Sequence, residues 1–247
     1  MISIADLANV KKLTIPDGVV KKIRVNDVYV WEETNEVTYT PIDYIQFTGV
    51  QDIDTGITCN QNTKIEVKFT RENSESRWLY GVRNSANTTS VTAYLGSSGG
   101  SWRFGGAYRN YTIPLNQVCT MAVNKSGITY NGTTSKYASG SVGTFTANGT
   151  LTLGSARNNS GTYGSPQFIG KIYSFKMYDD STLVADYIPS VSSDGEYGFY
   201  DNVSKEFKTS RSQPFNNETA SFAINTLELA AFNEVESSEI GQPTEMM

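Results

Sequence analysis

Lys171–Ser190, "KIYSFKMYDDSTLVADYIPS", places three carboxylates, Asp179, Asp180 and Asp186, inside a stretch whose other residues suit a β-strand. A catalytic strand would need those acids on one face, whereas a hairpin would put them at its turn. Alternation sets Tyr173, Phe175 and Met177 on one face and Ile172, Ser174, Lys176 and Tyr178 on the other. Asp179-Asp180-Ser181 is then the turn into "TLVADYI". The adjacent aspartates read as hairpin chemistry, and Asp186 is left without a role.

The same rhythm runs outward in both directions. From about Pro41 to about Phe215, short apolar-alternating runs such as "TKIEVKFT", "RWLYGVR", "SVTAYLG", "GTLTLGS" and "YGFYD" alternate with Gly- and Asn-rich turns. No stretch of this region carries helix-length periodicity. The chain is rich in Thr, Ser, Asn, Gly and Tyr and poor in Leu and Ala, which favours strands and tight turns. An all-β domain follows.

Residues 1–35 read as a separate β module, with turns at Pro16-Asp17-Gly18 and Asn26-Asp27. It is too small to bury a core alone and is expected to dock on the rest of the chain or on a partner. Residues 36–40 are a linker, 41–215 the main domain, and 216–247 a tail with six Glu and no Lys or Arg. In that tail "NTLELAAFNEV" fits a short amphipathic helix capped by Asn225 or Thr226. The whole chain has 20 basic and 25 acidic residues, a net charge of −5, so residues 1–215 are close to neutral. No basic face of the nucleic-acid-binding kind is expected, no run reaches the roughly 20 apolar residues of a membrane helix, and "MISIADLANVKK" lacks a signal-peptide core. Synthesis in a cytoplasm is the expectation.

Four segments, "YIQFTGVQDIDTGI", "GTLTLGS", "FIGKIYSFKMYDDSTLVADYIPS" and "YGFYDNVSKEFKT", resemble in order the laminin G-like, concanavalin A-like jelly-roll domains of phage structural proteins. The likeness spans about residues 41–215. "IPDGVVKKIRVNDVYVWEE" resembles a short module of phage tail and accessory virion proteins. The resemblance implies an all-β fold, a two-sheet antiparallel jelly-roll sandwich with sugar bound at one face or edge. It also implies a virion location in tail or head decoration, contact with other virion proteins through the N-terminal module, and a homo-oligomer within the particle. A fold does not name a ligand, so function must come from residues.

Histidine is absent, which removes Ser-His-Asp and Cys-His chemistry. Cys59 and Cys119 read as buried free thiols rather than a zinc pair or a disulfide framework. Eight Asn-x-Ser/Thr triplets read as a by-product of an Asn/Thr-rich surface. The Glu-x-Asp-x-x-Glu strand of retaining glycosidases of this fold is missing, and Asp52, Asp54, Glu72, Glu75, Asp179 and Asp180 fall at expected turns. A non-enzyme is the reading, and two carboxylates converging in a groove, for example Glu66 and Asp186, would argue against it. No cofactor is expected; calcium is the one ion for which Asp52 and Asp54 could supply oxygens.

Sugar binding is the favoured activity, because aromatic faces stack on pyranose rings while Arg and Asn satisfy hydroxyls. The stretch from Arg77 to Thr112 holds Trp78, Tyr80, Tyr94, Trp102, Phe104, Tyr108 and Tyr111 among Arg77, Arg83, Arg103 and Arg109. Alternation puts Trp78 and Tyr80 on one face, and Trp102 and Phe104 opposite Arg103; Trp78 and Phe104 read as core. Tyr108, Arg109 and Tyr111 fall in a loop-like "GGAYRNYT". The candidate ligand-binding residues are Trp102, Arg103, Tyr108, Arg109, Tyr111 and Arg83, with cell-surface carbohydrate as the expected partner. A packing role in the particle without any ligand is the rival reading.

Overall fold

The computed structural model describes residues 37–97, 99–158, 163–164 and 166–216, with short strands at 13–15, 18–20, 22–25, 28–32 and 220–221. The expected helix at "NTLELAAFNEV" and the turns at Pro16-Asp17 and Asn26-Asp27 lie outside the described residues. Backbone contacts divide the chain into two units, Met1–Thr38 and Tyr39–Met247. The first contains two antiparallel hairpins, Leu13–Ile15 with Gly18–Val20 and Lys22–Val25 with Val28–Glu32.

The second unit is a two-sheet sandwich, and among the described residues it contains no helix. One sheet of eleven strands is organised on Ile169–Asp179. Along one edge this long strand pairs with Thr63–Arg71. Its other edge is shared: Tyr44–Thr48 takes the first half and Thr182–Ser192 the second. The other sheet has eight strands, running Ala107–Tyr111, Gly99–Gly105, Ser90–Gly96, Arg77–Arg83, Thr146–Leu153 and Ile53–Asn60 in spatial order. Ala156–Asn158 joins it in parallel beside Arg77–Arg83, and the remaining strand pairs of the described residues are antiparallel. The jelly-roll reading stands on these two facing sheets.

Apolar residues from both inner faces make one core that includes Phe47, Phe69, Tyr80, Trp102, Phe104, Phe175, Tyr187 and Phe199. The sheets meet where Tyr80 stands edge-on to Phe175, ring centroids 6.1 Å apart. Tyr187 adds a cross-sheet hydrogen bond, its hydroxyl donating to the Thr55 carbonyl at 3.2 Å inside the core. A buried hydroxyl without such a partner would cost about 1–3 kcal/mol.

The alternation expected for "KIYSFKMY" breaks at one point. Phe69 faces Ile172 but Lys68 faces Ser174, so Tyr173 is an extra, bulged residue. Ile172 therefore turns inward with Phe175 and Met177, all fully buried, whereas Tyr173 turns outward. There its hydroxyl meets Thr70 Oγ1 at 3.1 Å and its ring packs against Tyr44. The turn is as expected: Asp179 pairs with Thr182, and Asp180 adopts φ 53°, a left-handed value that Asp tolerates. Asp186 finds its role in a cross-strand ion pair, its Oδ1 lying 3.1 Å from Lys176 Nζ.

Asp201 fastens the end of the "YGFYD" strand. Its Oδ1 accepts the Asp186 and Val203 amides at 2.8 and 3.1 Å, and its Oδ2 accepts the Ser204 hydroxyl at 2.7 Å. Burial alone would raise this carboxyl, but hydrogen bonds from the Asp186 amide, the Ser204 hydroxyl and the Val203 and Ser204 amides outweigh it and hold the pKa below the ordinary value. Both thiols are buried and unpaired. Burial pushes Cys59 up to about 12, only partly offset by Thr63, and also raises Cys119, which lies 3.7 Å from the Tyr130 hydroxyl.

Two predictions follow from these groups. Asp201→Ala should lower the free energy of unfolding by roughly 2 kcal/mol in urea titrations at pH 7. Because the folded pKa is depressed, that contribution is fully present above the unfolded value of about 3.9 and is lost as pH falls through the folded one. The gap between wild type and variant should therefore narrow as pH drops below about 4. Separately, neither Cys59 nor Cys119 should react with maleimide at pH 8 until denaturant unfolds the domain; rapid labelling of the native protein would contradict their burial.

Candidate functional site

Four neighbouring strands of the eight-stranded sheet, Arg77–Arg83, Ser90–Gly96, Gly99–Gly105 and Ala107–Tyr111, align their residues in rows. Trp78, Tyr94, Ser101 and Asn110 form one row, and Gly81, Thr92, Arg103 and Tyr108 the next. Side chains directly opposite one another across antiparallel strands share a face. The intervening rows, Tyr80–Ala93–Trp102 and Val82–Val91–Phe104–Ala107, are buried in the core. The first two rows consequently stand on the outer face.

Trp78 reaches that face through a second bulge. Ala93 faces Tyr80 but Tyr94 faces Trp78, which leaves Leu79 as the extra residue. Leu79 and Tyr80 both enter the core with no exposed surface, and Trp78 turns out, half-buried. The expectation that Trp78 shares a face with Tyr80 and belongs to the core is thereby corrected; Phe104 is core as read.

On the outer face the Trp78 and Tyr94 rings lie 4.5 Å apart at 52°. The Arg83 guanidinium stands over Trp78 at 5.1 Å, and that of Arg103 over Tyr108 at 4.9 Å. Trp78, Tyr94, Arg83, Arg103, Ser101 and Asn87 line a groove of about 430 Å³. An adjoining groove of about 370 Å³ shares Tyr94 and Ser101 and extends along Gly99, Asn110 and Tyr111. The loop that presents Asn87 is built by Asn84, whose Oδ1 accepts the Thr88 amide at 2.9 Å, while Asn87 itself adopts φ 56°. On the opposite side the Trp78 amide donates to the Pro166 carbonyl at 3.1 Å.

Of the expected ligand-binding residues, Arg83 and Arg103 line the groove and Tyr108 lies beneath Arg103. Trp102 does not: it is fully buried, and its indole lies along the strand over Gly100 and edge-on to Tyr111. Its parity places it in the core, so no ring face is left for a ligand. Arg109 sits in the Trp102 row, away from the outer face, and braces a neighbouring segment through a 2.9 Å hydrogen bond to the Lys136 carbonyl. Tyr111 packs on Trp102 and Tyr130 while its edge walls the second groove. The "GGAYRNYT" segment is not a loop, because Ala107–Tyr111 pairs with Gly99–Gly105 and Tyr108 also bridges Ser139. Tyr94, one of the aromatics of the stretch from Arg77 to Thr112, and Ser101, Thr92 and Asn87 line the groove without being among the expected ligand-binding residues. Recognising the extra residue at Leu79 would have found Trp78 and, opposite it, Tyr94.

The carboxylates are engaged elsewhere. Asp52 is buried; its Oδ2 pairs with Arg211 at 2.8 Å and its Oδ1 accepts the Ser212 hydroxyl at 2.7 Å. Asp54 lies in the strand Ile53–Asn60, not in a turn, and faces Arg157 and Arg211 at 3.7 and 3.5 Å. Arg157 and Arg211 thus engage Oδ2 of these carboxylates, while the Ser212 hydroxyl and the Gly56 amide donate to the Oδ1 atoms. Among the described residues no group of three or more His, Cys, Asp or Glu could hold a metal ion. Glu72 pairs with Lys171 at 3.5 Å, and Glu75 with Arg77. Glu66 and Asp186 do share a face, but the strand between them places Lys176 opposite both. Two strand spacings separate them by about 10 Å; Lys176 stands between them in the same row, 3.1 Å from Asp186, and the Tyr178 hydroxyl donates to Glu66 at 3.1 Å.

No family model matches the chain, and no curated protein sequence matches it. Among solved structures, the heptameric SAP-like pentraxin of Limulus polyphemus is similar over 58% of this chain and 76% of its own, with 11% identity and a TM-score of 0.40. At that level of likeness the fold assignment continues to rest on the strand pairings themselves.

A Cβ on Gly100 would stand 2.2 Å from Trp102 Cζ3, so only glycine lets the indole lie flat against its own strand. Gly100→Ala should cost about 1–3 kcal/mol through overpacking. It should also shift the tryptophan emission, because the ring must move; a variant with wild-type stability and spectrum would refute this placement.

Proposed function

We propose that the second unit is a non-enzymatic carbohydrate-binding domain and that the chain is a phage virion component mediating adhesion to host or environmental glycans. The observation that carries the binding reading is the Trp78–Tyr94 ring pair, half-buried in an open groove with Arg83, Arg103, Ser101 and Asn87 around it. Flat apolar faces bordered by a few polar groups are what a pyranose ring requires. The virion reading is supported by the sequence resemblance of the four segments of the main domain and of the N-terminal module, residues 1–35. In this reading the module attaches the chain to other virion proteins, and copies assemble as a homo-oligomer that multiplies weak sugar contacts. Absence of catalysis is supported by the commitment of Asp52, Asp54 and Asp186 to ion pairs and by the position of Lys176 between Glu66 and Asp186.

A glycan array probed with the full chain should identify bound sugars. Trp78→Ala and Tyr94→Ala should each weaken binding to those sugars about tenfold or more, equivalent to about 1.4 kcal/mol, with little change in circular dichroism. A virion that retains full host attachment when both rings are removed would leave packing, not adhesion, as the role of the domain.

A further inference from the structure

The groove is cationic in a chain that is anionic overall. From Ser76 to Tyr178 the sequence contains nine Lys and Arg and not one Asp or Glu. This stretch supplies the four strands of the outer-face rows and both walls of the groove. Four of the nine, Arg77, Arg83, Arg103 and Arg109, belong to those four strands, which carry no carboxylate, against a net charge of −5 for the whole chain.

The arginines of this region divide by what holds them. Arg77 pairs with Glu75, Arg157 with Asp54, and Arg109 donates to the Lys136 carbonyl. Arg83 and Arg103 differ: among the described residues neither has a carboxylate or carbonyl partner, and each rests over an aromatic ring. Ring contact fixes the plane of a guanidinium while leaving its N–H donors free. Two such forks flank one groove whose floor is Thr92, Tyr94 and Ser101 and whose platform is Trp78. A guanidinium held in this way matches a planar or tetrahedral oxyanion through two parallel hydrogen bonds. Neutral sugars do not require that arrangement, since hydroxyls are satisfied by single donors and acceptors.

We infer that the groove selects acidic saccharides, a pyranose ring stacked on Trp78 and Tyr94 with a carboxylate or sulfate substituent held by Arg83 and Arg103. The inference rests on the carbohydrate-binding reading and adds the charge of the ligand to it. Electrostatic attraction of this kind is screened by salt, so affinity should fall as ionic strength rises.

Calorimetric titration of the full chain tests it with oligogalacturonate as the carboxylate probe, dextran sulfate as the sulfate probe, neutral dextran as the uncharged control and oligo-dT as a sugar-poor polyanion. One of the two acidic saccharides should bind at least about tenfold tighter than neutral dextran, and which of them does so identifies the oxyanion. Arg83→Gln combined with Arg103→Gln should abolish the preference, Arg83→Lys with Arg103→Lys should retain only part of it, and Lys125→Gln, outside the groove, should change nothing. Equal binding of acidic and neutral saccharides, or an unaltered preference in the double Gln variant, overturns the inference while leaving sugar binding in place. Oligo-dT binding as tightly as the acidic saccharides also overturns it, since charge alone would then suffice. Failure of every saccharide here and on the array removes the binding reading itself.

Discussion

The contact between Tyr80 and Phe175 joins the two sheets, and each ring is in position because its strand carries one residue too many. Successive side chains of a strand point to opposite faces, so a strand that must put two apolar residues inward in succession has to bulge. Leu79 does this beside Tyr80, whereas the surplus Tyr173 lies on the outer face and lets both Ile172 and Phe175 turn inward on either side of it. Were either surplus residue paired in regular alternation instead of bulged, every side chain beyond it would change face. Phe175 in turn leans on Tyr187, and Tyr187 on Phe199, so the aromatic centre of the core extends from this one crossing.

The same devices decide what the surface shows. At Leu79 the bulge delivers Trp78 to the outer face, where it meets Tyr94 and supports Arg83. Gly81, in the adjacent row, keeps the parallel strand Ala156–Asn158 close, since a Cβ there would stand 2.8 Å from that of Ala156. The groove is thus built on strand-borne side chains and one Asn-capped loop, a rigid arrangement that holds its rings without ordering cost at binding.

Much of the fold was legible in the sequence because turn chemistry is local. Arg77–Arg83, Ser90–Gly96 and Tyr197–Asp201 have the boundaries their patterns suggest, and Asp179-Asp180 reads correctly as a hairpin turn. What escaped were features set by a partner strand. Neither Leu79 nor Tyr173 is unusual for a strand, and only pairing with Ser90–Gly96 and Thr63–Arg71 reveals them as extra. The edge strand Ala107–Tyr111 looked like a loop because Gly105 and Gly106 precede it. Trp102 was mistaken for a ligand contact because composition cannot distinguish an aromatic that packs over its neighbouring glycine from one that faces solvent. The proposed groove therefore lies on the strands the sequence pointed to, but partly on other residues of them.

The bulges also bear on how this chain must be aligned. Elsewhere in a strand, gaining or losing one residue exchanges every inward side chain beyond that point for an outward one. At Leu79 and Tyr173 the surplus residue is already present, so a counterpart lacking it would keep all other side chains on their own faces. Gaps between homologous sequences are normally confined to loops. For this sandwich, single-residue gaps fit inside strands such as Arg77–Arg83 and Ile169–Asp179, and an alignment that forbids them in the first would match Trp78 to core positions and hide the groove from comparison.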